Sequence, residues 1–142
     1  LLKQQQVDAS MLYTSDHGED IFDDGRHLFL HASPVPSYYQ LHVPLLLWTS
    51  DSYREEYPGI EKAASMNRQK NISSSISFFQ TMMELAGIET PYRNDSLSVT
   101  SPLYTEKSRV YLNDHNEPHS LDDIGMRKED FEMLKKRGID AQ

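Results

Sequence analysis

The chain has 142 residues, of which 37% are apolar, enough for one domain with a modest core. Its 14 basic and 22 acidic residues leave a net charge of −8, which argues against a nucleic-acid backbone as partner, since such binding rests on clustered Lys and Arg. Cysteine is absent, which excludes disulfides and thiolate metal sites, and no stretch nears the roughly 20 apolar residues a membrane span needs.

"LLKQQQ" at the start has no Met, no signal peptide and no capping residue. It reads as the end of a helix already under way, as expected of a piece of a longer protein. Residues 9–15 read as a strand, with "DHGED" at its tip. From 18 to 42 the pattern is loop-like, broken by Gly18, Gly25, Pro34 and Pro36, and it carries His27 and His31. "VPLLLWTS" at 43–50 reads as a second buried strand and "DSYREEYPG" after it as a surface turn.

Residues 71–86 give the clearest helix. Ile72, Ile76, Phe79 and Met83 share a face at helical spacing, joined by Met82 and Ala86, and the stripe is expected to be core. Asn71 or Ser73 can cap its start, and Gly87 can take the left-handed conformation at its end. "PYRNDSLS" is polar loop, 108–114 a third strand, and 127–138 an amphipathic helix with Phe131 and Leu134 inward. Strands and a helix in βαβ-like alternation, with a polar cluster at a strand's carboxyl end, imply an α/β layer fold with a ligand outside that end.

The chemistry concentrates in "MLYTSDHGED". Asp16 and His17 are costly to bury without partners, so a strand ending in them means either a ligand site or a solvated turn. Gly18 permits a bend at which both side chains converge. A carboxylate with an imidazole suits zinc, and also manganese, better than calcium, and a catalytic zinc needs further ligands. His31 is the best local candidate for a further role, as ligand or as donor to a phosphate oxygen. His27 is its rival, and Glu19 and Asp20 follow.

Several other groups read as ordinary structure. His42 suits a hydrogen bond at a strand's edge, and the Asp pairs at 23–24 and 122–123 suit solvated turns. His115 and His119 in "NDHNEPHS" could form a metal loop but are broken by Pro118. Tyr38 and Tyr39 could line a cleft or sit on an exposed loop. Asn71 and Asn94 head short glycosylation-type patterns of the kind that arise by chance.

"YTSDHGED", then "LFLHASPVP", then "HVPLLLWTSDSY" resembles the C-terminal part of the phosphoethanolamine transferases, within the sulfatase and alkaline phosphatase superfamily. "NISSSISFFQTMMELAGI" is similar to a later helix of that family, and the resemblance covers about residues 1–115. It implies that 1–142 is the C-terminal portion of an alkaline-phosphatase-like α/β/α sandwich. It assigns Asp16 and His17 to a catalytic zinc, and His31 to the substrate phosphate or a second metal. The chain departs from the pattern in a loop between His17 and His31 about two residues longer, in Ala32 where Gly is common, in lacking the family's frequent cysteines, and in Ser73–Ser75 where a His-Asp pair is often found.

The resemblance further implies a Thr nucleophile, a Glu ligand and another His well upstream. The 10 residues before Met11 cannot hold them, so the chain is expected to carry about half an active site and to be inactive by itself. In the parent, zinc would lower the pKa of the Thr hydroxyl, the Thr would take the phosphoethanolamine group, and a lipid or glycan hydroxyl would discharge it. His31 would stabilise the phosphoryl oxygens or protonate a leaving group. The parent is expected at the periplasmic face of the inner membrane, anchored by a separate domain. Alternatives are a calcium sulfatase-type hydrolase, from which Asp-His leans away, a phosphoglycerol transferase, or a non-catalytic remnant that binds glycan or lipid head groups. An exposed sheet edge would favour a homodimer of the fragment.

Overall fold

A computed structural model describes residues 7–31, 35–112, 115, 117–121, 123 and 125–139. The expected helix end at 1–6 lies outside these residues. So do Ala32, Pro34, Asn113, Asp114 and Asp122. In chain order the elements are β1 (Ser10–Thr14), β2 (Asp20–Ile21), β3 (Phe29–Leu30), α1 (Tyr38–Leu41), β4 (Leu45–Thr49) and α2 (Asp51–Glu56). Then come α3 (Pro58–Asn67), α4 (Ser74–Leu85), a 3-10 turn (Asp95–Leu97), β5 (Tyr111–Leu112), β6 (Pro118–His119) and α5 (Lys128–Lys136). They fall into two compact units, Leu1–Thr14 with Leu45–Lys107, and Ser15–Pro44 with Ser108–Gln142.

The first unit is built on β1 and β4, which pair antiparallel from Ser10↔Thr49 to Thr14↔Leu45. The expected strands at 9–15 and 43–50 are therefore present, although their mutual pairing is antiparallel where a βαβ alternation would make it parallel. The surface turn expected after β4 is instead two helices. Ser50 caps α2 by accepting from the Tyr53 N–H at 3.2 Å, and Pro58, part of the expected surface turn, sits in the first turn of α3. A proline there gives up only an N–H that has no partner within the helix.

The helix expected at 71–86 forms as α4, but its most buried face is not the apolar stripe, of which Ile72, Ile76 and Met83 are half-buried. Ser77, Thr81 and Leu85 are buried, whereas Phe79 is 54% and Met82 46% exposed. The reason lies in the segment Ser98–Ser101, itself buried. Thr81 Oγ1 donates to the Ser77 carbonyl at 2.7 Å and accepts from the Val99 N–H at 3.0 Å. Small polar side chains let this backbone come close, and the hydrogen bonds offset their burial. Asn67 adds to the same segment, donating to the carbonyls of Val99 and Ser101 at 3.0 and 2.8 Å.

The second unit has a small core of Tyr38, Leu121, Met126 and Leu134, with Tyr39 and Phe131 packed against it. Phe131 and Leu134 of α5 face inward as the sequence pattern implies, and Gly138 closes the helix with a φ of +69°. Tyr38 is core rather than cleft lining. The third expected strand is only β5, paired with β6 in the register Tyr111↔His119 and Leu112↔Pro118.

Candidate metal and phosphate site

Residues 15–31 leave the end of β1, turn, and form a two-stranded hairpin from β2 and β3. Gly18 fixes the turn. Its N–H donates to the Gln40 carbonyl at 2.8 Å, and a Cβ on it would run into the Tyr39 carbonyl oxygen. The residue is needed for close backbone approach to α1 rather than for an unusual φ. Asp20 then drops into the interior, where its carboxylate accepts from Ser37 Oγ at 2.6 Å and from Gln40 Nε2. Asp20 is thus a latch on α1 and not a metal ligand in waiting.

The far end of the hairpin is held by charge. Arg26 donates to Asp24 and, with Nη1 and Nη2 at 2.7 and 3.1 Å, to both oxygens of Asp130 on α5. Asp130 is wholly buried and also accepts from the Tyr38 N–H at 2.8 Å. The two carboxylates push the Arg26 guanidinium pKa up, the Asp24 hydrogen bond contributing most, and Arg26 in turn holds the Asp24 carboxyl below its usual range. Asp24 is therefore one arm of an ion-pair network, not the solvated turn residue expected, whereas Asp23 accepts locally from the Ile21 N–H at 2.9 Å.

Between these anchors the pairing Asp20↔Leu30 and Ile21↔Phe29 sets what lies just outside the ladder. Glu19 stands opposite His31. Glu19 Oε1 is 2.6 Å from His31 Nδ1 and 3.8 Å from His17 Nδ1, and the two imidazole rings lie 3.9 Å apart. Each of His17, Glu19 and His31 offers a donor atom within 4.8 Å of the others. Among the described residues this is the group of three or more such donors that could hold an ion.

Asp16 stands beside the group. It is 86% exposed, and its Oδ1 accepts from the His17 N–H at 3.1 Å. Backbone N–H groups of Asp16 and His17, helped by the His17 imidazole, hold its carboxyl below the usual range. Its other oxygen, Oδ2, is 3.7 Å from His17 Nε2. His27 takes no part: with a φ of +53° its ring lies 6.4 Å from Phe22. Of the two candidate histidines, His31 is the one brought to His17. His119 pairs loosely with Glu117 at 3.7 Å and joins no larger donor group among the described residues. His42 accepts or donates a 2.7 Å hydrogen bond with the Tyr38 hydroxyl, in keeping with the edge role expected for it.

Residues 1–88 match the family model for sulfatases. The chain belongs to the sulfatase family. Its curated relatives include the phosphoethanolamine transferase EptA of Salmonella typhimurium strain LT2, 31% identical over 70% of this chain and 18% of that protein. EptA of Escherichia coli K12 is 34% identical over 65% of this chain and 17% of its own length. This sulfatase-family chain therefore spans about a fifth of the curated relatives it matches. Among solved structures it is similar to the C-terminal periplasmic domain of EptC from Escherichia coli, with a TM-score of 0.68 at 25% identity, covering 85% of this chain and 33% of that one. A zinc complex of the same EptC domain shares the fold, with a TM-score of 0.64 at 22% identity, over 91% of this chain and 35% of that one. The mixed α/β architecture is thus that of part of a sulfatase-like domain.

The donor set fits a zinc-type ion. An imidazole and a carboxylate are among the ligands such a metal takes, and donors about 2.0–2.1 Å from a tetrahedral zinc stand about 3.3 Å from one another. The 3.7 Å between Asp16 Oδ2 and His17 Nε2 is close to that spacing.

Proposed function

We propose that the chain is the C-terminal part of a zinc-dependent phosphoethanolamine transferase, working on the periplasmic face of the inner membrane and passing phosphoethanolamine to a lipid or glycan hydroxyl. The observation that carries the reading is the meeting of Asp16, His17 and His31 at the end of β1, in a sulfatase-family chain whose relatives are named for that transfer. Asp16 and His17 would hold the metal. A zinc bound there would act as a Lewis acid on the phosphoryl oxygens and on the nucleophile. His31 would meet the phosphoryl group from the other side of His17, hydrogen-bonding an oxygen on which charge builds up. The apolar hairpin β2–β3 and the latch at Asp20 would keep that histidine in place without ordering it anew at each turnover. The nucleophile and the remaining ligands would come from outside these 142 residues, so the chain by itself would not transfer.

The test is metal content by mass spectrometry on the full-length protein, purified without a histidine tag, beside His17→Ala. One zinc per chain in the parent, lost in the variant together with phosphoethanolamine transfer, is the expected result. Calcium in place of zinc would point to a sulfatase-type hydrolase. No metal in either would leave Asp16 and His17 as a solvated turn and remove the enzyme reading.

A further inference from the structure

We infer that Glu19 is the positioning residue for His31, holding the Nδ1 edge of the ring so that Nε2 is the atom left for a phosphoryl oxygen. What the ring is aimed at rests on the transferase reading above; its orientation does not.

The hairpin register makes Glu19 and His31 cross-strand neighbours, one step beyond Asp20↔Leu30. The Glu19 backbone cannot swing far, because the next residue, Asp20, is buried and tied to Ser37 and Gln40. An ionised carboxylate only accepts, so the 2.6 Å contact from Glu19 Oε1 to His31 Nδ1 places a proton on Nδ1. In the neutral ring Nε2 then carries the free lone pair; in the charged ring it carries an N–H. Either way the same atom faces outward.

His17 is set the same way by a different acceptor. Its Nδ1 lies 3.0 Å from the Gly18 carbonyl oxygen, which also only accepts, and its Nε2 is the nitrogen near Asp16 Oδ2. Glu19 therefore stands at the Nδ1 edges of both rings, while Asp16 Oδ2 lies 3.7 Å from His17 Nε2. For Glu19 to be a ligand alongside both Nδ1 atoms, two Nδ1–H hydrogen bonds would have to break. A carboxylate behind a histidine is the usual way its working nitrogen is chosen.

The experiment reads the histidine tautomers in the full-length protein by long-range proton–nitrogen NMR, at a pH of about 8.5, where ordinary imidazoles are neutral. His31 is expected as the Nδ1–H tautomer. Glu19→Leu, which keeps bulk but offers no acceptor, should lose that protonated Nδ1 signal, and Glu19→Gln, whose amide oxygen still accepts, should retain it. On titration with zinc, the nitrogen signal that moves should be His17 Nε2, with His31 Nδ1–H persisting. His31 found as Nε2–H in the wild type, or unchanged in Glu19→Leu, would overturn the inference. A zinc-induced shift at Nδ1 of either ring would make Glu19 a ligand and overturn it equally. Because no transfer activity enters these readings, failure of the transferase assignment would leave them standing, and the reverse holds too.

Discussion

The unit built on β1 and β4 and the unit that carries His17 and His31 are held by different means. In the first, a five-pair antiparallel ladder and three helices of 6, 10 and 12 residues do most of the holding, with backbone hydrogen bonds that depend little on which side chains are present. In the second the strands are two residues long, and the chain is fixed by side chains. Asp20 grips α1, Arg26 grips Asp130, and Gly18 lies against the backbone of residues 39 and 40. A site built in this second way has its backbone placed by a few polar groups, and loses its shape when one of them goes.

Asp130→Ala should give the largest effect, because it removes the buried carboxylate of the Arg26 pair and leaves the Tyr38 N–H unpaired. Breaking a buried pair this way costs about 3–5 kcal/mol, to be read as a lowered urea midpoint. Gly18→Ala comes next: its methyl group meets the Tyr39 carbonyl, and overpacking of that kind costs about 1–3 kcal/mol. Zinc affinity should fall with it, since His17 moves with the turn. In the backbone-held unit, Thr81→Val should cost about 1–3 kcal/mol by stranding the buried Val99 N–H, while Phe79→Ser on the open face of the same helix should stay within about 0.5 kcal/mol. A Phe79→Ser effect as large as that of Thr81→Val would mean the apolar stripe is the true packing face.

The smallest effect is a pH slope. Burial, then the positive charges of Arg137 and Arg109, push the His42 imidazole pKa down, while its Nδ1 bonds the Tyr38 hydroxyl. The folded chain then binds fewer protons than the unfolded one, so this contribution is full above about pH 6.5 and is lost as pH falls from there through the lowered value. Stability measured from pH 7.5 downward should decline less steeply in His42→Gln than in the wild type.

The same contrast explains what the sequence could reveal. Periodicity and turn chemistry are local, so β1, β4, α4 and α5 were readable, and so was Asp16-His17 at a strand tip. The helices α2 and α3 were hidden because Pro58 reads alike as a breaker and as a first-turn residue. The buried face of α4 was hidden because Ser77 and Thr81 owe their burial to a segment some 20 residues away, and polar residues carry no apolar signal. Arg26 and Asp130 lie 104 residues apart, and nothing in either neighbourhood announces the other. Glu19 followed the histidines as a candidate because its partner is set by hairpin register, which a run as short as "DIFDDGRHLFL" does not declare.

The hairpin also separates its tip from its base. Opposed residues in it sum to one fixed number, so Glu19 meets His31 as long as the pairing Asp20↔Leu30 holds. Residues added at the tip, around Asp24 and Gly25, lengthen the loop and leave that meeting undisturbed. One residue added inside β2 or β3 must be absorbed as a bulge, or it turns the histidine to the opposite face of the ribbon. Length at the tip is therefore free to drift, and the chemistry at the base need not notice.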